Sequence, residues 1–121
     1  MSDSSFREGE IDYIELPASD FEAVETFYTA VFAWRFVDWG EEYRAFNDGR
    51  LDGGFYKTEM CSNADSGAAL VIFRTADLDD KLAAVTEAGG RIVKPIFTFP
   101  GGRRFHFTDP CGNELAVWSS D

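Results

Sequence analysis

The chain holds one histidine, His106, set between two phenylalanines in Phe105-His106-Phe107 and followed closely by Asp109-Pro110-Cys111-Gly112-Asn113. An imidazole can move a proton near neutral pH or bind a metal, and a nearby thiol can act as a nucleophile. Neither role has support in the local sequence: there is no second histidine, and no base adjoins Cys111. Strand alternation puts His106 on the face opposite Phe105 and Phe107. If the phenylalanines fill a ligand cup, His106 faces the helix layer or solvent, the preferred reading since no partner cluster accompanies it. If the reverse holds, it faces the cup as a proton-transfer group. Asp109 to Asn113 reads as a hairpin turn, with Asp accepting backbone hydrogen bonds, Pro fixing φ and Gly-Asn tolerating left-handed backbone.

Tyr13 and Glu15 lie two residues apart, hence on one face of a strand. A carboxylate in an aromatic cavity needs a cation or a donor network. Glu15 is therefore the leading candidate for ligand contact or acid–base work, unless Arg44 or another arginine neutralises it internally. Near the end of the chain, Glu114, Ala116 and Trp118 share a face, and Trp118 offers an aromatic wall to a cup or packing to an interface. Phe99-Pro100-Gly101-Gly102-Arg103-Arg104 lacks the Gly-Lys-Ser/Thr ending of a nucleotide loop. It suggests a flap at the cup mouth, with Arg103 or Arg104 meeting an anionic ligand group.

The elements that must position these groups occur twice. Residues 11–18 alternate as a strand and Pro17 ends it; Ser19 and Asp20 offer an N-cap, and Phe21, Val24, Tyr28 and Val31 recur at helical spacing over 19–32. Three short strands follow, separated by Gly40 and by Asn47-Asp48-Gly49-Arg50. The second half repeats the order: a strand at 69–75, a helix capped by Asp77 with Leu78, Leu82 and Val85 inward, a stop at Gly89-Gly90, then three strands. Two β-α-β-β-β modules result, at about 10–58 and 68–119, joined by a polar linker at about 59–67. Together they make one α+β domain over 10–121 with a curled mixed sheet, preceded by a flexible tail at 1–9. One face of each module's sheet is covered by its helix. The uncovered faces are expected to curl into a shared half-barrel, the default ligand cup.

The 121 residues suffice for one domain with a core. Acids outnumber bases 22 to 11, which argues against nucleic acid or an anionic membrane as partner and favours a cationic ligand. With no secretory leader or apolar span in evidence, a cytoplasmic location with Cys61 and Cys111 as free thiols is expected. Exposed sheet edges and surplus aromatic residues point to a homodimer.

The opening segment 11–34, the closing Phe107-Thr108-Asp109-Pro110-Cys111-Gly112-Asn113-Glu114-Leu115-Ala116-Val117-Trp118 and the paired modules resemble the vicinal oxygen chelate superfamily. It includes glyoxalases, extradiol dioxygenases, fosfomycin-resistance enzymes and bleomycin-binding proteins. The likeness covers about residues 10–119. It implies a divalent metal held by a His, Gln or Glu on the first strand of each module and a Glu on the last. The matching positions here are Tyr13, Leu70 and Ala116, while the fourth ligand would fall near Gly53 to Tyr56. Leucine and alanine supply no donor, so neither a divalent metal nor another cofactor is expected. The expected function is binding of a small organic ligand in an aromatic cup lined by Tyr13, Glu15, Arg44, Leu70, Arg104, Ala116 and Trp118. The alternative is a lyase, isomerase or dioxygenase of the glyoxalase type. That enzyme would use Glu15, Tyr13 or His106 in metal-free acid–base chemistry, or a metal site not evident in the sequence.

Overall fold

The computed structural model describes residues 6–120; part of the expected tail, residues 1–5, lies outside them, as does residue 121. The first module comprises β1 (Tyr13–Ala18), α1 (Phe21–Phe32), β2 (Arg35–Asp38), β3 (Tyr43–Asn47) and β4 (Asp52–Lys57). The second comprises β5 (Val71–Arg74), α2 (Leu78–Glu87), β6 (Arg91–Phe99), β7 (Gly102–Thr108) and β8 (Glu114–Ser119). Each forms its own four-stranded mixed sheet, in the orders β1-β4-β3-β2 and β5-β8-β7-β6. In each sheet the first strand runs parallel to the last and the remaining pairs are antiparallel. The expected module repeat is thus present strand for strand.

Both helices begin where the sequence predicts. Asp20 Oδ1 accepts the Ala23 N–H at 3.1 Å, and Asp77 Oδ1 accepts the Asp80 N–H at 3.0 Å, each satisfying a donor that the first helical turn leaves open. α1 stops at Ala33, whose N–H still reaches the Thr29 carbonyl and whose left-handed backbone (φ 58°) turns the Trp34 N–H onto the Tyr28 carbonyl. That turn sends Trp34 back over the helix. Its indole stacks between Tyr28 at 4.3 Å and Phe46 at 4.2 Å.

The two sheets share one helix layer. Phe27 and Phe32 of α1 pack on Phe107 and Phe73 of the second sheet, while Tyr28 of the same helix packs on Phe55 of the first. Leu16, Phe46 and Phe55 from one sheet and Phe105, Phe107, Leu115 and Val117 from the other therefore bury into a single core. Each large side chain contributes roughly 1.5–3 kcal/mol relative to exposure.

This arrangement corrects one expectation. Because both sheets spend their apolar faces on a common helix layer, their uncovered faces do not curl toward each other within one chain. One surface cavity lies at the start of α1 beside Arg44 and Lys57, and another between residues 6–14 and 50–52. The chain presents two separate outer sheet faces.

The turn after β7 does more than reverse the chain. Asp109 accepts the backbone N–H groups of Cys111 (2.8 Å) and Asn113 (3.1 Å) on one oxygen, and the Tyr28 hydroxyl at 2.8 Å on the other. Asn113 donates to the Pro17 carbonyl at 2.8 Å and accepts the Ser62 N–H at 2.9 Å. One buried turn thereby ties together β1, α1 and the linker. Burial raises the Asp109 pKa, and the hydrogen bonds from Tyr28 and Asn113 oppose that rise.

Candidate functional site

Alternation along β1, β3 and β4 gives the first sheet an outer face. Leu16, Phe46 and Phe55 point into the core, so Tyr13, Glu15, Tyr43 and Tyr56 occupy the opposite face. Tyr43 is the member that the sequence reading missed. Its hydroxyl donates to Glu15 Oε2 at 2.9 Å and lies 2.7 Å from the Tyr13 hydroxyl. Its ring crosses over Gly54, where any Cβ would collide with it. Partial burial, then the hydrogen bonds to Tyr13 and Glu15, push the Tyr43 phenol far above its ordinary pKa. It therefore stays a neutral donor. Tyr13 and Tyr56 are each more than 40% exposed, which leaves an open, acidic, aromatic surface.

Arg44 is not part of this surface. It points to the helix side of β3, where it is buried and paired with Glu22, Glu25 and Asp38. Neutralisation of Glu15 by Arg44, and a place for Arg44 in the cup, are both contradicted, because neighbouring strand residues face opposite ways.

The second sheet has its own outer face on β5, β7 and β8. Phe105 and Phe107 are fully buried in the core, so His106 stands on the outer face, the alternative that the sequence reading ranked second. It has partners after all. His106 Nδ1 lies 3.0 Å from Glu114 Oε2, and Nε2 receives the Arg104 Nε–H at 3.2 Å with Arg104 Nη2 at 3.0 Å. A guanidinium can only donate, so Nε2 is the acceptor and the ring proton sits on Nδ1, directed at Glu114. Glu114 also accepts the Ala64 N–H from the linker at 3.0 Å. That bond first, and His106 second, hold its pKa below the ordinary glutamate value, against the opposing effect of burial.

Arg104 lies over the rings of Phe97 and Phe99, and Arg74 lies 4.7 Å over Trp118. Pro100-Gly101 is the two-residue connection between β6, which ends at Phe99, and β7, which begins at Gly102, and both Arg103 and Arg104 are strand residues. Ala116 is fully buried between Ile72 and His106 in the register, and Leu70 is half-buried just before β5. The structure places the sequence candidates His106, Arg104 and Trp118 on one sheet face and adds Arg74, Phe97, Phe99 and Glu114 beside them. Glu114 had a signal, since it shares a face with Ala116 two residues on.

The positions that the resemblance assigns to a metal do not fit one. Tyr13 shares its hydroxyl with Tyr43, while Leu70 and Ala116 present hydrocarbon. Among the described residues no three His, Cys, Asp or Glu side chains converge as a divalent ion requires. The His106–Glu114 pair offers at most two donors, and Arg104 already occupies the free imidazole nitrogen.

Comparison with known proteins fits this architecture. The profile of the glyoxalase/bleomycin resistance protein/dioxygenase superfamily matches residues 10–117. The Mycobacterium bovis protein named "Putative glyoxylase CFP32" is 25% identical across 98% of this chain, and the chain spans 48% of that protein's length. A family enzyme from Burkholderia phytofirmans superposes with a TM-score of 0.76 at 16% identity, covering 91% of this chain and 98% of its own. The fosfomycin resistance protein FosX of Listeria monocytogenes superposes with a TM-score of 0.77 at 14% identity, covering 93% and 94%. At such identities the superpositions speak for the fold alone, whereas the profile covers nearly the whole chain: the protein belongs to the glyoxalase/bleomycin resistance protein/dioxygenase superfamily.

Proposed function

We propose that this protein binds a small organic cation without a metal, in a cup completed by pairing the half-cup of one copy with that of a second. The observation that carries the reading is the Tyr13–Tyr43–Glu15 chain on an exposed sheet face. Two phenols hold one carboxylate in place, while aromatic surface around it supplies apolar and cation–π contact. A half-cup this open needs a second wall to exclude water, and a homodimer supplies it with the same sequence. The formal charge of −11 adds attraction for a cation. The cytoplasmic setting expected from the sequence belongs to the same proposal.

The test is a titration of intrinsic fluorescence with metal-free bleomycin and with benzyltrimethylammonium, on the wild type and on Glu15→Gln. The amide keeps the shape and removes the charge. An affinity weakened about tenfold agrees with one desolvated charge contact; equal affinity in the variant removes Glu15 from the site.

The His106–Glu114 pair supports a second reading. An imidazole whose Nδ1–H is held by a carboxylate can accept a proton at Nε2 once Arg104 releases that nitrogen, so a metal-free lyase or isomerase with His106 as base is the enzymatic alternative. Its signature is turnover that survives a chelator and disappears in His106→Gln.

A further inference from the structure

The chain has twice as many acids as bases, yet among the described residues neither Arg74 nor Arg104 is paired with a carboxylate. Arg44 and Arg103, by contrast, each meet at least one. Arg74 and Arg104 flank Trp118 in the strand register, Arg74 on β5 and Arg104 on β7. Both are braced by rings, Arg74 by Trp118 and Arg104 by Phe97 and Phe99. Among the described residues, Arg74's one side-chain hydrogen bond is a long contact of 3.4 Å to Ser120 Oγ. Arg104 directs two of its nitrogens at the single lone pair of His106 Nε2. A guanidinium matches a carboxylate through two parallel N–H···O bonds, each stronger than a bond to a neutral nitrogen.

We infer that the outer face of the second sheet is a carboxylate-binding site, in which Arg104 exchanges the His106 lone pair for the carboxylate of an organic acid while Arg74 approaches from the far side of Trp118. The apolar body of the acid lies along Trp118 and Phe99. Once Arg104 has moved, His106 Nε2 carries a free lone pair beside the bound acid, and Glu114 still fixes the ring through Nδ1. This inference rests on reading that face as half of the ligand cup. It does not depend on Glu15 or on the cationic ligand, because Arg74, Arg104, His106 and Glu114 all belong to one sheet of one chain.

The single histidine makes the exchange directly observable. The ring nitrogens of His106 are followed by long-range proton–nitrogen correlation spectra while phenylacetate is titrated into the protein, with neutral phenylacetamide as control. The expected result is a downfield move of Nε2 as it loses the guanidinium, with Nδ1 unchanged, on phenylacetate only. Arg104→Gln should weaken phenylacetate binding by roughly tenfold or more, and Arg74→Gln by less. Because either variant could unfold, each is accepted only with a wild-type circular dichroism spectrum, and the wild-type titration stands without them. The inference is overturned by an Nε2 signal that stays still at saturating phenylacetate, by an equal response to phenylacetamide, or by undiminished affinity in folded Arg104→Gln. Failure of the Glu15 titration leaves all of these outcomes unaltered, so the two proposals fail separately.

Discussion

At the scale of single residues, Glu114 has the clearest linkage between charge and stability. The Ala64 N–H and His106 hold its folded pKa below the ordinary glutamate range. A carboxylate depressed in the folded state stabilises the fold above its unfolded pKa, and that contribution is lost as pH falls through the folded value. Glu114→Gln should therefore cost about 1–3 kcal/mol at neutral pH, and less as the pH falls below about 4. Urea unfolding of both proteins at several pH values measures the gap. A gap that stayed constant down to acid pH would show that charge on Glu114 is not the stabilising feature. Glu114 was hard to assign from sequence because its partner His106 lies on another strand and its second partner, Ala64, is a backbone group in the linker. Pairing across strands is set by register, which strand patterning alone does not give.

Secondary-structure elements were far more legible than contacts. Asp20 and Asp77 marked helix starts because an N-cap is a local contract between neighbouring residues. The Asp109 turn was readable for the same reason, although its anchorage to Tyr28 and Pro17 was not. Tyr43 escaped notice because its role depends on an absence: Gly54 opposite leaves room for the phenol to lie flat and reach Glu15. Gly53 serves the other face, where a Cβ would strike the Phe46 ring and the Ile14 carbonyl. The two glycines therefore have separable effects. Gly54→Ala should push the Tyr43 ring aside at a cost of about 1–3 kcal/mol and weaken benzyltrimethylammonium binding as much as Glu15→Gln does. Parallel titrations of the two variants test this, and a fully retained affinity in Gly54→Ala would mean that the Tyr43–Glu15 bond does not shape the site.

For the whole molecule, the shared helix layer governs how the chain can bind anything. Two modules that bury their apolar faces in one core must leave their outer faces apart. Tyr13, Tyr56, Ile72 and Phe97 remain exposed on them, each more than a third accessible. Sequence could announce two modules and their order, yet it could not say whether the uncovered faces meet within a chain, because that depends on packing between residues some eighty positions apart, as in Tyr28 with Asp109. We expect sedimentation velocity to show a dimer, and benzyltrimethylammonium to shift the equilibrium toward it, since a ligand held between two walls stabilises their union by mass action. A protein that stays monomeric when saturated with ligand would contradict the two-copy cup.

Where the superfamily resemblance expects metal ligands, the chain carries a phenol, an isobutyl group and a methyl group at Tyr13, Leu70 and Ala116. Elemental analysis of the purified protein after exhaustive dialysis against metal-free buffer tests that point. The prediction is zinc, nickel, manganese and iron far below one ion per chain. Any one of them retained at one ion per chain would contradict it.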